Sequence, residues 1–379
     1  MRNNLTFSVS VPVCGQAEFL KTALESVRSQ SVEYELAVLD ATADDSAQRV
    51  AACYEDIISY RYHHEDDGQS AAIQEGWNNT SGDIVAWLNA DDYYFPYTFG
   101  EVEEVFRLNP GVDVVYGHGV HVSPDGDFIM YFPAISRDVS ELTRGCVICQ
   151  PSCFVRREAM ERVGGLDGSL KYVMDWEFWI RLYKSGCVFH FLDKPLSAVR
   201  VYPDTKTLSG SRERFVELDG VLRANATAPE RIRALAGFRY YDLLNRRNGP
   251  IEKLYFHLLR AARSLSRRRG GAAVIEGLEA WSNLVENGCR VVLPWYGEKA
   301  PDKLAVTTDR DIDIQLDSGG ERQPLALESV GLVDDFGKKI KGYKHTAKLD
   351  GAGAGEKLVS ARLFSTNGPW RLLSVGVER

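Results

Sequence analysis

Residues 80–94, TSGDIVAWLNADDYY, place two adjacent carboxylates, Asp91 and Asp92, after an apolar run that reads as a buried strand. Neighbouring carboxylates repel each other. A divalent cation relieves that repulsion, and magnesium or manganese suits oxygen ligands while keeping positions for substrate phosphates. An exposed Asp-rich turn is the plainer alternative. Further on, DWEFWIR at residues 175–181 opens a helix: a carboxylate in the first turn is favoured by the helix dipole, and Trp176, Trp179 and Ile180 can pack the helix down. On local grounds Asp175 reads as an N-cap and Glu177 with Arg181 as an i,i+4 ion pair. His118 and His121 lie in GHGVH just after a strand, where a solvated or acceptor-side loop is expected, since their spacing suits a metal only on a helix. Cys146, Cys149 and Cys153 have no second pair or nearby His to complete a zinc set, so core thiols are expected. The Gly117-His-Gly119 segment lacks the rest of a dinucleotide fingerprint, and no Walker motif is present. Tyr93, Tyr94, Phe95 and Tyr97 read as packing beside the aspartate loop rather than as a platform for a sugar ring.

These residues need a scaffold. The β-branched run at residues 8–11 predicts a strand closed by Pro12, and Phe19, Leu20, Ala23, Leu24 and Val27 recur at helical spacing. Residues 36–39 form an apolar run ending at Asp40, residues 60–63 suggest a third strand, and Ala72, Ile73 and Trp77 mark a helix. Residues 84–88 predict a buried strand, Val102, Val105 and Phe106 a helix ending before Pro110, and residues 112–116 a further strand. This βαβαβαβ order predicts an α/β fold with a mostly parallel, Rossmann-like sheet flanked by helices, and such sheets bind ligands beyond the carboxyl ends of their strands. A short helix with a glycine stop at Gly164-Gly165 follows, and then the helix through Asp175 that ends at Gly186. Residues 212–290 read as helical, with Phe238, Tyr241 and Leu244 and then Leu254, Leu258 and Leu259 as apolar groups. After Arg290, short alternating runs broken by glycine-rich turns predict a small β-rich domain. The expected division is therefore 1–211 catalytic, 212–290 helical and 291–379 accessory.

Taken in order, these motifs resemble the family 2 glycosyltransferases of the GT-A fold over residues 6–210. The resemblance implies that Pro12 and Val13 in VSVPVCG lie at the nucleotide, and that Asp40 in YELAVLDATADDS contacts base and ribose. It places Asp67 and Gly68 in EDDGQSAAIQEG near the base, Asp91 at the ribose, and Asp92, with Asp91 beside it, at a Mn2+ or Mg2+ ion. Asn89 stands where an Asp often precedes the pair. Downstream, Gln150-Pro151-Ser152, Arg156, Gly164-Gly165-Leu166-Asp167 and the Asp175 helix match the family's later elements. Asp175 is implied as the general base, with Gln150, Trp176, Glu177, Arg181 and Tyr202 on the donor or acceptor side. Departures fall at Cys14-Gly15-Gln16, Ala41, Ala71 and Gln74, and Tyr202 stands where a His often supplies a third metal ligand. The implied activity is inverting transfer of a hexose-type sugar from a nucleotide, with UDP expected, to a hydroxyl of a glycan or lipid-linked acceptor, in keeping with surface polysaccharide synthesis. A catalytically silent carbohydrate or nucleotide-sugar binding module of the same fold is the alternative, with nucleotidyl transfer a minor third.

The 379 residues suffice for two or three domains, and 44% hydrophobic with 26% charged residues disfavours fibrous or disordered classes. The net charge of -8 argues against a nucleic-acid partner. Seven scattered cysteines and the lack of a signal core or long apolar run predict a reduced, cytoplasmic protein. The charge is uneven, however: residues 212–270 carry 14 basic and 6 acidic side chains. Within them, residues 251–269 combine Arg260, Arg263 and Arg267-Arg268-Arg269 with Leu254, Phe256, Leu258 and Leu259, compatible with peripheral contact on an anionic inner membrane face, although a solvated helical face is the simpler reading. For the β-rich domain, acceptor binding, homo-oligomer formation and simple coverage of the helices all remain open.

Overall fold

The computed structural model describes residues 5–124, 126, 128–132, 135–202, 205–206 and 211–246, and after them nine strands between residues 278 and 378. Spatial proximity groups the chain into two compact units, residues 1–119 with 134–270 and residues 120–133 with 271–379.

The first unit is built on four parallel strands, β1 (Phe7–Val13), β2 (Tyr34–Asp40), β3 (Ile58–His63) and β4 (Ile84–Trp87), in the order β4-β1-β2-β3. Between and after them run α1 (Ala17–Arg28), α2 (Ser46–Ala51), α3 (Gln69–Asn78), the short β5 (Tyr93–Tyr94) and α4 (Thr98–Leu108). One sheet face buries Val9, Val11, Leu36, Val38, Ile84 and Ala86 against Leu20, Leu24 and Val27 of α1 and Phe99, Val102 and Phe106 of α4. On the other, Ala37 and Leu39 meet Ala72 of α3. Burial on both faces is why β2 and β4 read as continuous apolar runs. Gly76 lets α3 approach β1, because a Cβ there would lie 2.3 Å from the Ser10 hydroxyl oxygen.

Three expectations about strands are corrected. First, β1 does not stop at Pro12 but runs to Val13, paired with Asp40. Its pairing with β4 ends at Ser10 opposite Trp87. The Ser10 carbonyl faces β4 and the Val13 carbonyl faces β2, so by alternation the missing N–H of Pro12 faces the side that β4 has already left. Second, the strand expected at residues 112–116 is β6 (Val114–Val122), which does not pair with β4: β8 (Cys153–Arg156), antiparallel to both, lies between them. Third, GHGVH is therefore not a solvated loop: His118 and His121 are 2% and 8% exposed within β6. His118 Nε2 lies 2.8 Å from Asp193, which also pairs with Arg137. Gly119 passes so close to Cys149 that a Cβ would meet its sulfur at 2.1 Å. Cys149 and Cys153 are buried thiols whose pKa values burial pushes well up.

The unit continues with α5 (Arg157–Val163), α6 (Met174–Lys184), β9 (Phe189–Arg200), α7 (Ser211–Asn225) and α8 (Ala228–Arg246). The αL residue Gly164 ends α5, as expected. β9 has no counterpart in the sequence reading; it pairs with β5 and β6. In α7 and α8, Leu218, Val221, Leu222, Ala234 and Phe238 are buried, and Thr227 with Glu230 forms a capping box at the start of α8. Residues 251–269, the expected membrane-facing segment, lie outside the described residues. Among the described residues, no helix is long and apolar enough to cross a membrane.

In the second unit, β7 (Phe128–Tyr131) pairs with the end of β6 and with β18 (Trp370–Glu378). The ladders β15 (Ala326–Val333)-β16 (Lys339–Lys348)-β13 (Lys303–Thr308)-β18 and β12 (Cys289–Pro294)-β17 (Leu358–Phe364)-β14 (Asp313–Leu316) are antiparallel.

His121 carries a testable consequence. Burial lowers its pKa from 6.5 to about 4, so the folded chain keeps it neutral where the unfolded chain takes up a proton. Stability contributed by the neutral ring is therefore present above pH 6.5 and declines as pH falls towards 4, by roughly 3 kcal/mol in all. Urea unfolding at a series of pH values should show one proton fewer taken up on unfolding in His121→Leu than in wild type; an unchanged slope contradicts this account.

Candidate active site

The chain leaves β4 at Trp87 and turns back between Asn89 and Asp92, whose backbone N–H donates to the Asn89 carbonyl at 3.0 Å. The turn buries Asp92 to 3% exposure. Its Oδ1 accepts the Arg200 backbone N–H and its Oδ2 the Asn89 side-chain amide, each at 3.1 Å. Asp91 is less buried; its Oδ2 accepts the Tyr202 hydroxyl at 2.8 Å, and its carbonyl accepts the Arg200 guanidinium at 2.5 Å. Arg200 is 6% exposed, with its guanidinium 4.7 Å over Phe19 and 5.0 Å over Tyr93. Burial raises both aspartate pKa values, and the charge of Asp91 raises that of Asp92 further; hydrogen bonds and Arg200 offset this in part.

Two acidic side chains are thus crowded together with their charge only partly balanced, which fits a hard divalent cation. Among the described residues no group of three His, Cys, Asp or Glu could hold a metal. A cation at Asp91 and Asp92 would therefore complete its shell with water and substrate oxygens, a pattern suited to magnesium or manganese.

Around the pair the structure gathers residues far apart in sequence. Gln150 donates to the Trp87 carbonyl at 2.9 Å and accepts from Asn89 at 3.1 Å. Asn89 in turn accepts from Gln69 at 2.7 Å, and Gln69 accepts from the Lys206 ammonium at 2.7 Å. Phe19, Gln69, Arg200 and Lys206 were not picked out from sequence. Arg200, two residues before Tyr202, had a local signal; Phe19 was assigned to a helix face, and nothing in the sequence set Gln69 and Lys206 apart from surface polar residues.

At the next carboxyl ends, Val13 pairs with Asp40, whose Oδ1 accepts the Thr42 N–H at 2.9 Å and whose Oδ2 lies 2.7 Å from His63 Nδ1. A cavity of about 230 Å³ beside them is lined by Val38, Asp40, Gln48, Ala51, Arg61, Tyr62 and His63. Pro12 is half-buried at the end of β1. Gly68 precedes α3 with φ +105°, a conformation that favours glycine; its N–H is held by Asp66 at 2.8 Å, while Asp67 is exposed.

Asp175 is not an N-cap. The cap residue of α6 is Val173, and the amides of Lys171, Tyr172 and Val173 donate to Glu217 of α7 at 3.0, 2.7 and 2.8 Å. Glu217 thus holds the loop that enters α6, and the Asp175 carboxylate takes only the adjoining Trp176 N–H among the hydrogen bonds described. Burial raises its pKa, the Trp176 N–H and Arg214 oppose this, and Glu217 adds to it. Trp176 donates its indole N–H to the Leu142 carbonyl at 2.7 Å, and so anchors the helix. Glu177 and Arg181 form a bidentate pair at 2.6 and 2.8 Å, and the same guanidinium binds the Val163 and Gly165 carbonyls, tying α6 to the glycine turn. These three residues thus hold α6 in place through bonds within the fold. Burial pushes the Cys149 thiol pKa well up, and the charges of Asp92, Cys146 and Asp175 add to this.

Comparison with known proteins addresses the chemistry. The family model described as Glycosyl transferase family 2 matches residues 8–164. The chain carries a glycosyl transferase family 2 domain. An uncharacterised glycosyltransferase of Rickettsia typhi is 24% identical over 228 residues, covering 56% of this chain and 69% of that protein, and one of Haemophilus influenzae is 23% identical over 183 residues, covering 46% and 61%. Among solved structures, S. aureus TarS 1–349 in complex with UDP-GlcNAc gives a TM-score of 0.49 at 16% identity, covering 64% of this chain and 72% of that one. The mannosyltransferase PcManGT from Pyrobaculum calidifontis, with GDP-Man and Mn2+, gives 0.46 at 16%, covering 71% and 77%. The family match contains the aspartate turn and stops before Asp175 and α6.

The Glu177–Arg181 clamp is the feature of this glycosyltransferase domain that should matter most for rigidity. Arg181→Met leaves a buried carboxylate and two carbonyls without their partner, and should cost about 3 kcal/mol in urea unfolding. A change below about 1 kcal/mol would place the clamp among ordinary surface pairs.

Proposed function

We propose that this glycosyltransferase moves a sugar from a nucleotide-sugar donor, with UDP as the expected nucleotide, to a hydroxyl of a glycan or lipid-linked glycan, with inversion at the anomeric carbon. The observation that carries this reading is the buried pair of carboxylates, Asp91 and Asp92, at the end of β4 within the residues that match the family 2 model, with Asp175 as a separate carboxyl of raised pKa at the start of α6. A surface polysaccharide pathway is the proposed setting, with residues 1–211 catalytic and residues 291–379 accessory.

In this reading Asp91, the more accessible of the pair, and Asp92 hold the metal. A Mn2+ or Mg2+ ion held there would supply positive charge against the departing diphosphate. Arg200 and Asn89 keep the carboxylates in register through the bonds described above. Asp175 takes the proton of the acceptor hydroxyl as that oxygen attacks, and a raised pKa makes its carboxylate a stronger base near neutral pH. The donor's nucleoside falls to Pro12, Val13 and Asp40, with Asp67 and Gly68 at the rim. Asp40 reaches it with both oxygens already engaged by Thr42 and His63, which holds the carboxylate in one orientation.

Nucleotide release from UDP-sugars with Mn2+ tests the assignment: an active enzyme releases UDP and loses that activity in EDTA, whereas a silent binding module releases none. Asp175→Asn should reduce transfer by about 10² to 10⁴-fold with donor affinity retained; near wild-type turnover would remove Asp175 from the base role. Activity should fall as pH is lowered through the raised Asp175 pKa, because the protonated carboxyl cannot accept a proton. The same shift means that the charged form opposes folding near neutral pH. Asp175→Asn should therefore have the higher Tm at pH 7, and the gain should shrink as the solution is acidified.

A further inference from the structure

We propose that Asn89 is a positioning residue whose side-chain amide couples the Lys206 segment, and the loop leading into α6, to Asp92 and Gln150. The role of Asp92 in this rests on the reading of the aspartate pair as the cation site.

The chemistry of its two ends orients the chain of bonds. An ammonium has donors and no acceptor, so Lys206 can meet Gln69 only at Oε1, and it does so at 2.7 Å. The Gln69 NH2 is then the group left to face Asn89, where it donates to Oδ1 at 2.7 Å. At the other end, the Asp92 carboxylate and the Trp87 carbonyl are acceptors. Gln150 must spend its NH2 on Trp87, at 2.9 Å, and therefore presents its oxygen to Asn89. The Asn89 NH2 meets both acceptors, Asp92 Oδ2 and Gln150 Oε1, at 3.1 Å. Every group in the series has one consistent direction, from ammonium to carboxylate, and such series polarise cooperatively.

Position 89 needs an acceptor on one side and two donors on the other. An amide of this length supplies them; a carboxylate lacks the donors, and an aliphatic side chain lacks both. Lys206 also donates to the Lys171 carbonyl at 3.3 Å, in the loop that Glu217 clamps before the Asp175 helix. The ammonium thus touches the approach to the proposed base, and its effect is delivered at Asp92.

Two measurements on the full-length chain test this. The first needs neither metal nor donor: in protein labelled with 15N at asparagine, the Asn89 side-chain amide signals are those lost in Asn89→Asp. Lys206→Met should shift these signals and Lys206→Arg should return them towards wild type; unmoved signals in Lys206→Met overturn the proposal. The second is Mn2+ affinity without nucleotide, read by electron paramagnetic resonance of the free ion. Removing a positive charge would by itself strengthen cation binding. The coupling predicts instead that Lys206→Met and Asn89→Leu each weaken it about five-fold, the worth of one hydrogen bond. The double variant should be no weaker than Asn89→Leu alone, and additive losses, or tighter binding in Lys206→Met, overturn the proposal. If the wild-type chain binds no Mn2+ but its amide signals answer to Lys206, the cation reading fails and the positioning role stands.

Discussion

Two carboxylates held side by side at the buried end of a strand are the constraint around which this site is arranged. Neighbouring charges out of water repel and are poorly solvated, so something must hold and partly neutralise them. Arg200 does both. Its backbone N–H fixes Asp92, its guanidinium binds the Asp91 carbonyl, and the rings of Phe19 and Tyr93 cover the cation so that it too can leave water. The end of β9, the first turns of α1 and the residues after β4 are all committed to this one arrangement. The burial of β5 against β9, through Tyr93 paired with Ala198 and Tyr94 with Ser197, keeps it in place.

The second acidic centre is handled in the opposite way. Asp91 and Asp92 are surrounded by donors, whereas Asp175 is left short of them. Glu217, from a different helix, holds the loop that enters α6 through the amides of Lys171, Tyr172 and Val173, and Asp175 takes only the adjoining Trp176 N–H among the hydrogen bonds described. A carboxylate that had to cap its own helix would have its pKa lowered by backbone amides and would make a weaker base. Helix α7 thus serves the site as well as the core, and the Glu177–Arg181 clamp with Trp176 holds α6 to the glycine turn and to the Leu142 carbonyl.

Much of the parallel half of the fold was legible from sequence, because buried strands and amphipathic helices carry their periodicity in adjacent residues. The runs before Asp40 and Asp92 and the helical spacing from Leu20 to Val27 are local signals, and the structure places them as expected. The antiparallel half was not legible. GHGVH, with two histidines and two glycines, has the composition of a loop, and it is a strand because β9 lies against Gly117, because β7 pairs with Val120 and His121, and because Gly119 makes room for Cys149. Pro12 stays within β1 because β4 ends early, a fact about a neighbour over seventy residues away.

The site divides in the same way. Residue type alone pointed to Asp91 and Asp92, since paired carboxylates after an apolar run are a chemical statement made by adjacent residues, while Asp175, locally an N-cap, was singled out only by the family resemblance. Sequence could not assign those groups their states. Whether a carboxylate caps a helix or stands ready as a base, whether Glu177 and Arg181 face a ligand or each other, and which amide meets Asp92 depend on partners brought from other elements: Glu217, Arg200, Gln69 and Lys206. Charge and hydrogen bonding act through space over a few ångströms. Only the folded chain fixes which side chains come within that range.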